Sequence, residues 1–218
     1  MKFIFSLCLL GLSTAAWSQQ RGDMFWRLGH GSVSTAGGGA LSAPSPTGAQ
    51  LDPGSASALV AGVTYFYGPN LSVDLSAAQP YKLRLNGAGA WAGTGALGEV
   101  KMMPITVMAQ YRFMAPAHAL RPYVGLGLTH ALFSDETGSG SLTALTQPGM
   151  GRTTKIQVDS KWAPTAQFGA SYALDKSLFI DLSYSMTTLS TRLGLSSGQS
   201  QNLKLDPTTL TISVGYKF

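Results

Sequence analysis

The chain closes on Leu210-Thr211-Ile212-Ser213-Val214-Gly215-Tyr216-Lys217-Phe218, and this stretch decides the fold. Large apolar residues take every second position, with Thr211, Ser213, Gly215 and Lys217 between them. Period two marks a strand whose two faces meet different environments. A soluble barrel has little reason to stop on such a strand with no polar sequence after it. An alternating strand with a terminal aromatic residue is how the closing strand of a bacterial outer-membrane barrel looks. Tyr216 and Phe218 are then the expected signal to the barrel-assembly machinery.

The other end of the chain agrees. Lys2 precedes an apolar run over 3–12, and Ser13-Thr14-Ala15-Ala16-Trp17-Ser18 follows. A charged start, a short apolar run and a small-residue cleavage site predict a signal peptide over 1–18. Residues 19–218 are then one barrel domain, exported to the outer membrane. The run is too short to span a bilayer as a helix, for which about 20 residues are needed. Cys8, the only cysteine, sits too early for a lipoprotein cleavage site. The processed chain holds no thiol, which excludes disulfides and cysteine-ligated metals.

Charged residues make up only 11% of the chain, against 44% hydrophobic residues and 26 glycines. No apolar stretch after residue 18 reaches membrane-helix length, so any span must be made by strands. The formal charge of +5 falls by one when Lys2 is removed. The remaining cations are scattered, without a basic cluster interleaved with aromatics, and nucleic-acid binding is not expected.

Working back from the closing strand, eight segments alternate in the same way: 24–33, 57–67, 70–78, 103–113, 121–133, 162–174, 177–187 and 208–218. Each is close to the 9–11 residues or so that a tilted membrane strand needs. The connections run long, short, long, short, long, short, long, with long segments at 34–56, 79–102, 134–161 and 188–207. That rhythm predicts an all-β, eight-stranded antiparallel transmembrane barrel with both termini in the periplasm and four long extracellular loops. A soluble sandwich would not keep it.

The two faces are sharply different. One parity carries Trp26 and Leu28, Val63 and Tyr65, Leu71 and Leu75, Val107 and Tyr111, Leu126 and Leu128, Phe168 and Tyr172, Ile180 and Leu182. No Asp, Glu, Lys or Arg falls on it in any of the eight segments. The other parity holds Arg27, Asp74, Arg112, Asp181 and Lys217 among Ser76, Thr106, Gln110 and Ser185. A Lys or Arg facing lipid at mid-membrane costs about 2–4 kcal/mol, so the apolar face points outward and the polar face lines the lumen. A lipocalin would show the reverse. Tyr65, Tyr67, Tyr111, Phe113, Tyr172, Tyr216 and Phe218 fall at one level, as an interfacial girdle does.

The segments Pro104-Ile105-Thr106-Val107-Met108-Ala109-Gln110-Tyr111-Arg112-Phe113, Arg121-Pro122-Tyr123-Val124-Gly125-Leu126-Gly127, Gln167-Phe168-Gly169-Ala170-Ser171-Tyr172 and Leu205-Asp206-Pro207 together resemble the OmpW/AlkL family. Ala77-Ala78-Gln79-Pro80 is similar too, and the resemblance covers nearly all of 19–218. It implies a monomeric outer-membrane barrel that passes small hydrophobic solutes, entering through partly apolar loops and released sideways into the bilayer. An interior filled by side chains is not a general porin. The resemblance also implies bulky apolar residues narrowing the lumen on the third and seventh strands. Ser76 and Ser185 stand there in this chain.

Asp74, Asp181 and Arg112 invite two readings. Buried charges must pair, so an ion-pair network that plugs the barrel is expected; the other reading is a slightly polar passage. Long loops rich in Leu41, Leu51, Leu85, Trp91 and Leu97 suggest an apolar entrance, with Trp91 and Leu97 as its candidate residues. Such residues can equally pack into clusters of their own. The competing function is a plugged structural or surface-recognition barrel whose loops bind a partner without solute flux. His30 and His130 are placed near each other at the outer rim, beside Asp135 and Glu136, but no catalytic motif accompanies them. Catalysis is not expected and no cofactor or metal is implied; the expected partners are outer-membrane lipid, lipopolysaccharide and the transported solute.

Overall fold

The computed structural model describes residues 21–149 and 153–218; the leader expected over 1–18 lies outside them. In chain order the elements are β1 (Met24–Ser34), β2 (Ala49–Pro53), β3 (Ala56–Phe66), β4 (Leu71–Ala78), β5 (Tyr81–Gly89), β6 (Ala96–Arg112) and β7 (Leu120–Gly138). A short helix α1 (Gly140–Thr146) follows, then β8 (Ile156–Val158), β9 (Lys161–Ala173), β10 (Leu178–Thr187), β11 (Ser190–Leu195), β12 (Ser200–Lys204) and β13 (Thr208–Lys217).

Eight of these strands form the barrel. Each of β1, β3, β4, β6, β7, β9, β10 and β13 pairs antiparallel with the next. The closing strand then returns to the first, from Phe25↔Lys217 to Ser34↔Thr208. Closure leaves no sheet edge in the bilayer, where an unpaired N–H or C=O would have no water to bond. The two faces separate as the alternation requires. Leu28, Leu75, Leu126, Leu182 and Ile212 stand about half-exposed or more, Leu126 at 72%. An apolar belt of that extent is intelligible only with lipid as its solvent.

The long connections differ from the expected loops. β6 and β7 are 17 and 19 residues long and rise beyond the barrel, still paired as far as Gly98↔Gly138. β5 and β2 extend that sheet outward, while β8, β11 and β12 form a second sheet. α1 starts at Ser139, whose hydroxyl caps the N–H of Leu142, as N-cap serines do. Between the sheets Leu51, Leu83, Leu97, Leu142, Leu193 and Leu203 pack into one buried core. The four long segments thus fold into a cap with its own interior.

Candidate functional site: the barrel interior

The inward side chains form layers. Lowest lie Phe25, Phe66 and Phe179, all buried. Their ring centroids are 4.7 Å apart for Phe25–Phe66 and 5.1 Å for Phe25–Phe179. Gly215 on β13 lies directly beneath the Phe179 ring, and a Cβ there would run into it. At the rim below, Lys217 pairs with Asp23 at 2.6 Å.

Above the rings sits the charge cluster. Arg27 reaches Asp74 at 2.6 Å and Asp181 at 3.4 Å. Thr64 donates to Asp74 at 2.6 Å and Tyr123 to Asp181 at 2.9 Å. Gly62 leaves the space that Arg27 fills; a Cβ at Gly62 would lie 2.9 Å from Arg27 Nε. Arg112 donates to Ser171 and to Gln110, each at 3.1 Å. Its guanidinium lies 4.5 Å from the Tyr123 ring centroid and 5.2 Å from that of Phe66, within cation–π range. Gln110 in turn donates to Gln167 at 2.8 Å. Two guanidiniums face two carboxylates, so the cluster is neutral. Every one of these four charges is nearly out of solvent contact, and each has a charged or hydrogen-bonding partner. Such a set is tolerable in a low-dielectric interior only because it is paired.

Above the charges a narrow cavity of about 70 Å³ opens in mid-barrel, with Arg27 in its floor and Ser76, Thr106 and Ser185 in its walls. Tyr81, Met102 and Leu189 line its upper part.

Of the expected lumen residues, Arg27, Asp74, Gln110, Arg112 and Asp181 meet in the plug, and Ser76, Thr106 and Ser185 line the cavity. Lys217 lies at the periplasmic rim. Trp91 and Leu97, candidates for an entrance, are 3% and 0% exposed inside the cap core and are absent from the cavity wall. Tyr216 and Phe218 stand on the lipid face at the periplasmic end, 43% and 64% exposed. His30 and His130 are not neighbours. His30 is on β1 and His130 on β7, four strands apart around an eight-stranded ring and therefore on opposite walls. His130 instead stacks on Trp162 at 4.6 Å. Among the described residues no three His, Cys, Asp or Glu side chains converge as metal ligands would. The three inward phenylalanines, Tyr123 and Gln167 were missed, although their parity is that of Arg27 and Asp181.

A closed eight-stranded barrel with an apolar outer belt and a paired polar interior defines an outer-membrane β-barrel protein. Within that class the chain belongs to the OmpW family, whose sequence profile matches residues 20–218. Outer membrane protein W of Vibrio cholerae is 30% identical over 217 residues, covering 96% of this chain and 95% of that one. Outer membrane protein AlkL of Ectopseudomonas oleovorans is 27% identical over 185 residues, covering 84% and 73%. Among solved structures, OprG of Pseudomonas aeruginosa superposes with a TM-score of 0.81 at 22% identity. It covers 93% of this chain and 99% of OprG, a likeness of fold.

Proposed function

We propose that the protein is a passive outer-membrane channel for small hydrophobic molecules, which it releases sideways into the bilayer. The cavity closed from below is the observation that carries this reading. A solute arriving from outside meets Arg27, Asp74 and the phenylalanine layer on the axial path, so its exit is through the wall. The ladder is interrupted beside the cavity. β4 pairs with β6 as far as Ala77↔Ile105, and β5 with β6 from Tyr81↔Met102. Between those pairs stand Pro80 and Pro104, which have no N–H to offer. Ala77, Ala78, Tyr81, Met102 and Pro104 all line the cavity, so a seam with few hydrogen bonds to break borders it. Lipopolysaccharide is a poor solvent for apolar molecules, and a protein path around it raises their flux. On this reading the protein works as a monomer in contact with lipid and lipopolysaccharide, without catalysis or cofactor, and Tyr216 and Phe218 serve its assembly.

One observation favours the second reading, a plugged barrel whose cap recognises a partner: the apolar loop residues are spent on the cap core. Uptake separates the two. Cells with an intact outer membrane and no family member of their own are compared with and without the protein. The solutes are a medium-chain alkane or small aromatic and a polar molecule of similar size. Selective acceleration of the apolar solute supports the channel. Acceleration of neither, with the barrel folded by heat-dependent gel mobility, supports the recognition barrel.

A further inference from the structure

We propose that the mid-barrel cavity is a binding site for small neutral amphiphiles: a phenol or alcohol O–H carried on a compact apolar body. This rests on the channel reading above and narrows its solute class.

The wall chemistry points there. Thr106 bonds Thr129 at 2.9 Å, Thr129 bonds Thr165 at 2.6 Å, and Thr165 bonds Thr187 at 2.9 Å. One chain of hydroxyls therefore crosses four adjacent strands, and all four residues line the cavity. A hydroxyl has one donor and two acceptor positions. Four hydroxyls joined by three bonds keep one donor and five acceptor positions, so the spare capacity is mostly accepting. The occupant that satisfies it is a donor. A hydrocarbon supplies none and displaces the water that would otherwise serve those oxygens, leaving buried polar groups unmet. A carboxylate offers only acceptors, and it brings a charge above a cluster in which Arg27 and Arg112 already balance Asp74 and Asp181. That charge would be desolvated without a countercharge of its own. A neutral O–H avoids both penalties. Its apolar body faces the other part of the cavity, lined by Val60, Ala78, Met102 and Leu189. The cavity is partly open and only about 70 Å³ in volume, so the body that enters it is compact.

The test uses three solutes with the same tolyl ring: toluene, p-cresol and 4-methylbenzoate. Entry into vesicles with a lipopolysaccharide outer leaflet is measured with the purified full barrel. Binding is followed separately through threonine methyl resonances in the same protein. One hydrogen bond gained is worth roughly threefold to tenfold, and p-cresol is expected to be accelerated over the other two by that factor. Saturable threonine shifts should accompany it. T129V/T165V should lose the preference while T129S/T165S keeps it, each checked by heat-dependent mobility. Toluene accelerated as much as p-cresol, or a preference surviving in T129V/T165V, overturns the solute class and leaves the channel standing. Threonine shifts with p-cresol but no accelerated entry uphold the binding site and remove the channel. No shifts and no acceleration remove both. Should T129V/T165V not fold, the parent titration decides: shifts with p-cresol and none with toluene support the site, and equal or absent shifts overturn it.

Discussion

The charge cluster makes a quantitative prediction about stability. Arg27→Met removes the cation that joins Asp74, 0% exposed, to Asp181, 1% exposed. Asp74 then keeps the Thr64 hydroxyl and Asp181 the Tyr123 hydroxyl, with Arg112 as the more distant cation facing both. Breaking a buried ion pair from one side costs about 3–5 kcal/mol, and Arg27→Met should fall in that range. Asp74→Asn should cost less, toward the lower end, because Arg27 retains Asp181 at 3.4 Å. The double variant R27M/D74N removes one charge of each sign, leaving Arg112 against Asp181, and the new amide can still bond Thr64. Its cost should therefore lie well below the sum of the singles, a coupling of about 2–5 kcal/mol. The assay is urea unfolding in lipid vesicles, read by tryptophan emission. Trp26 and Trp162 lie on the lipid-facing surface, 46% and 57% exposed, and shift when they leave the bilayer. Additivity of the two singles within about 0.5 kcal/mol would refute the view that this pair is held by mutual neutralisation.

Three further outcomes are expected. The aromatic layer and the charge cluster block the axis in series, so F25A/F179A alone should leave planar-bilayer ion conductance at the parent level. Combined with R27M/D74N it should raise conductance, and leakage from F25A/F179A by itself would contradict the series arrangement. In the periplasmic turn, the N–H groups of Ser177 and Leu178 donate to Asp175 at 2.7 and 2.8 Å and hold its carboxyl below the usual aspartate range. A lowered folded value gives stability that is present above the unfolded pKa of about 3.9 and is lost as pH falls through the folded value. D175A should therefore be less stable than the parent at neutral pH, and unfolding curves should converge in acid; a gap independent of pH would count against the turn. W91S/L97S opens the cap core. Proteolysis of the loops on intact cells should quicken while heat-dependent mobility stays normal, and unchanged cleavage would mean that these side chains do not hold the cap.

How much of this was legible in the sequence depends on which solvent each residue meets. The barrel strands were readable because lipid on one side and packed lumen on the other impose a strict period of two on residues such as Leu126, Leu128 and Leu182. The ends of β6 and β7 were not, since above the membrane the same strands no longer face lipid and their pattern changes at Lys101 and Ser134. The cap strands are short, three to nine residues, and lie among glycines, so Leu83 and Leu85 or Leu193 and Leu195 read as stray apolar residues in loops. Only pairing across more than a hundred residues, as when Gln201 bonds both backbone groups of Leu51, joins them into a core. The lumen was half legible. Parity put Arg27, Asp74 and Asp181 inside, but attention to polar residues passed over Phe25, Phe66 and Phe179 on the same face. The distance between His30 and His130 follows from strand order around the ring, and rim height alone could not supply it.

The serines and the phenylalanines belong to one spatial arrangement. An eight-stranded barrel has a fixed, narrow interior, so what varies along the axis is where the bulk is placed. The family resemblance implies bulk at the positions of Ser76 and Ser185; here those positions are small and line an open cavity. Bulk returns lower down as Phe66, Phe179 and Tyr123, with Gly169 and Gly215 making room for the Tyr123 and Phe179 rings and Gly62 for Arg27. The ion cluster lies against this aromatic layer, which shields it from periplasmic water on one side. Closing the barrel low also leaves the space above it at the level where the β4–β5–β6 seam lacks paired backbone. A closure at Ser76 and Ser185 would have filled the volume that borders the seam. On the channel reading proposed above, the position of the plug and the position of the seam make sense together: one would deny the axial exit, and the other would offer a lateral one at the same cavity.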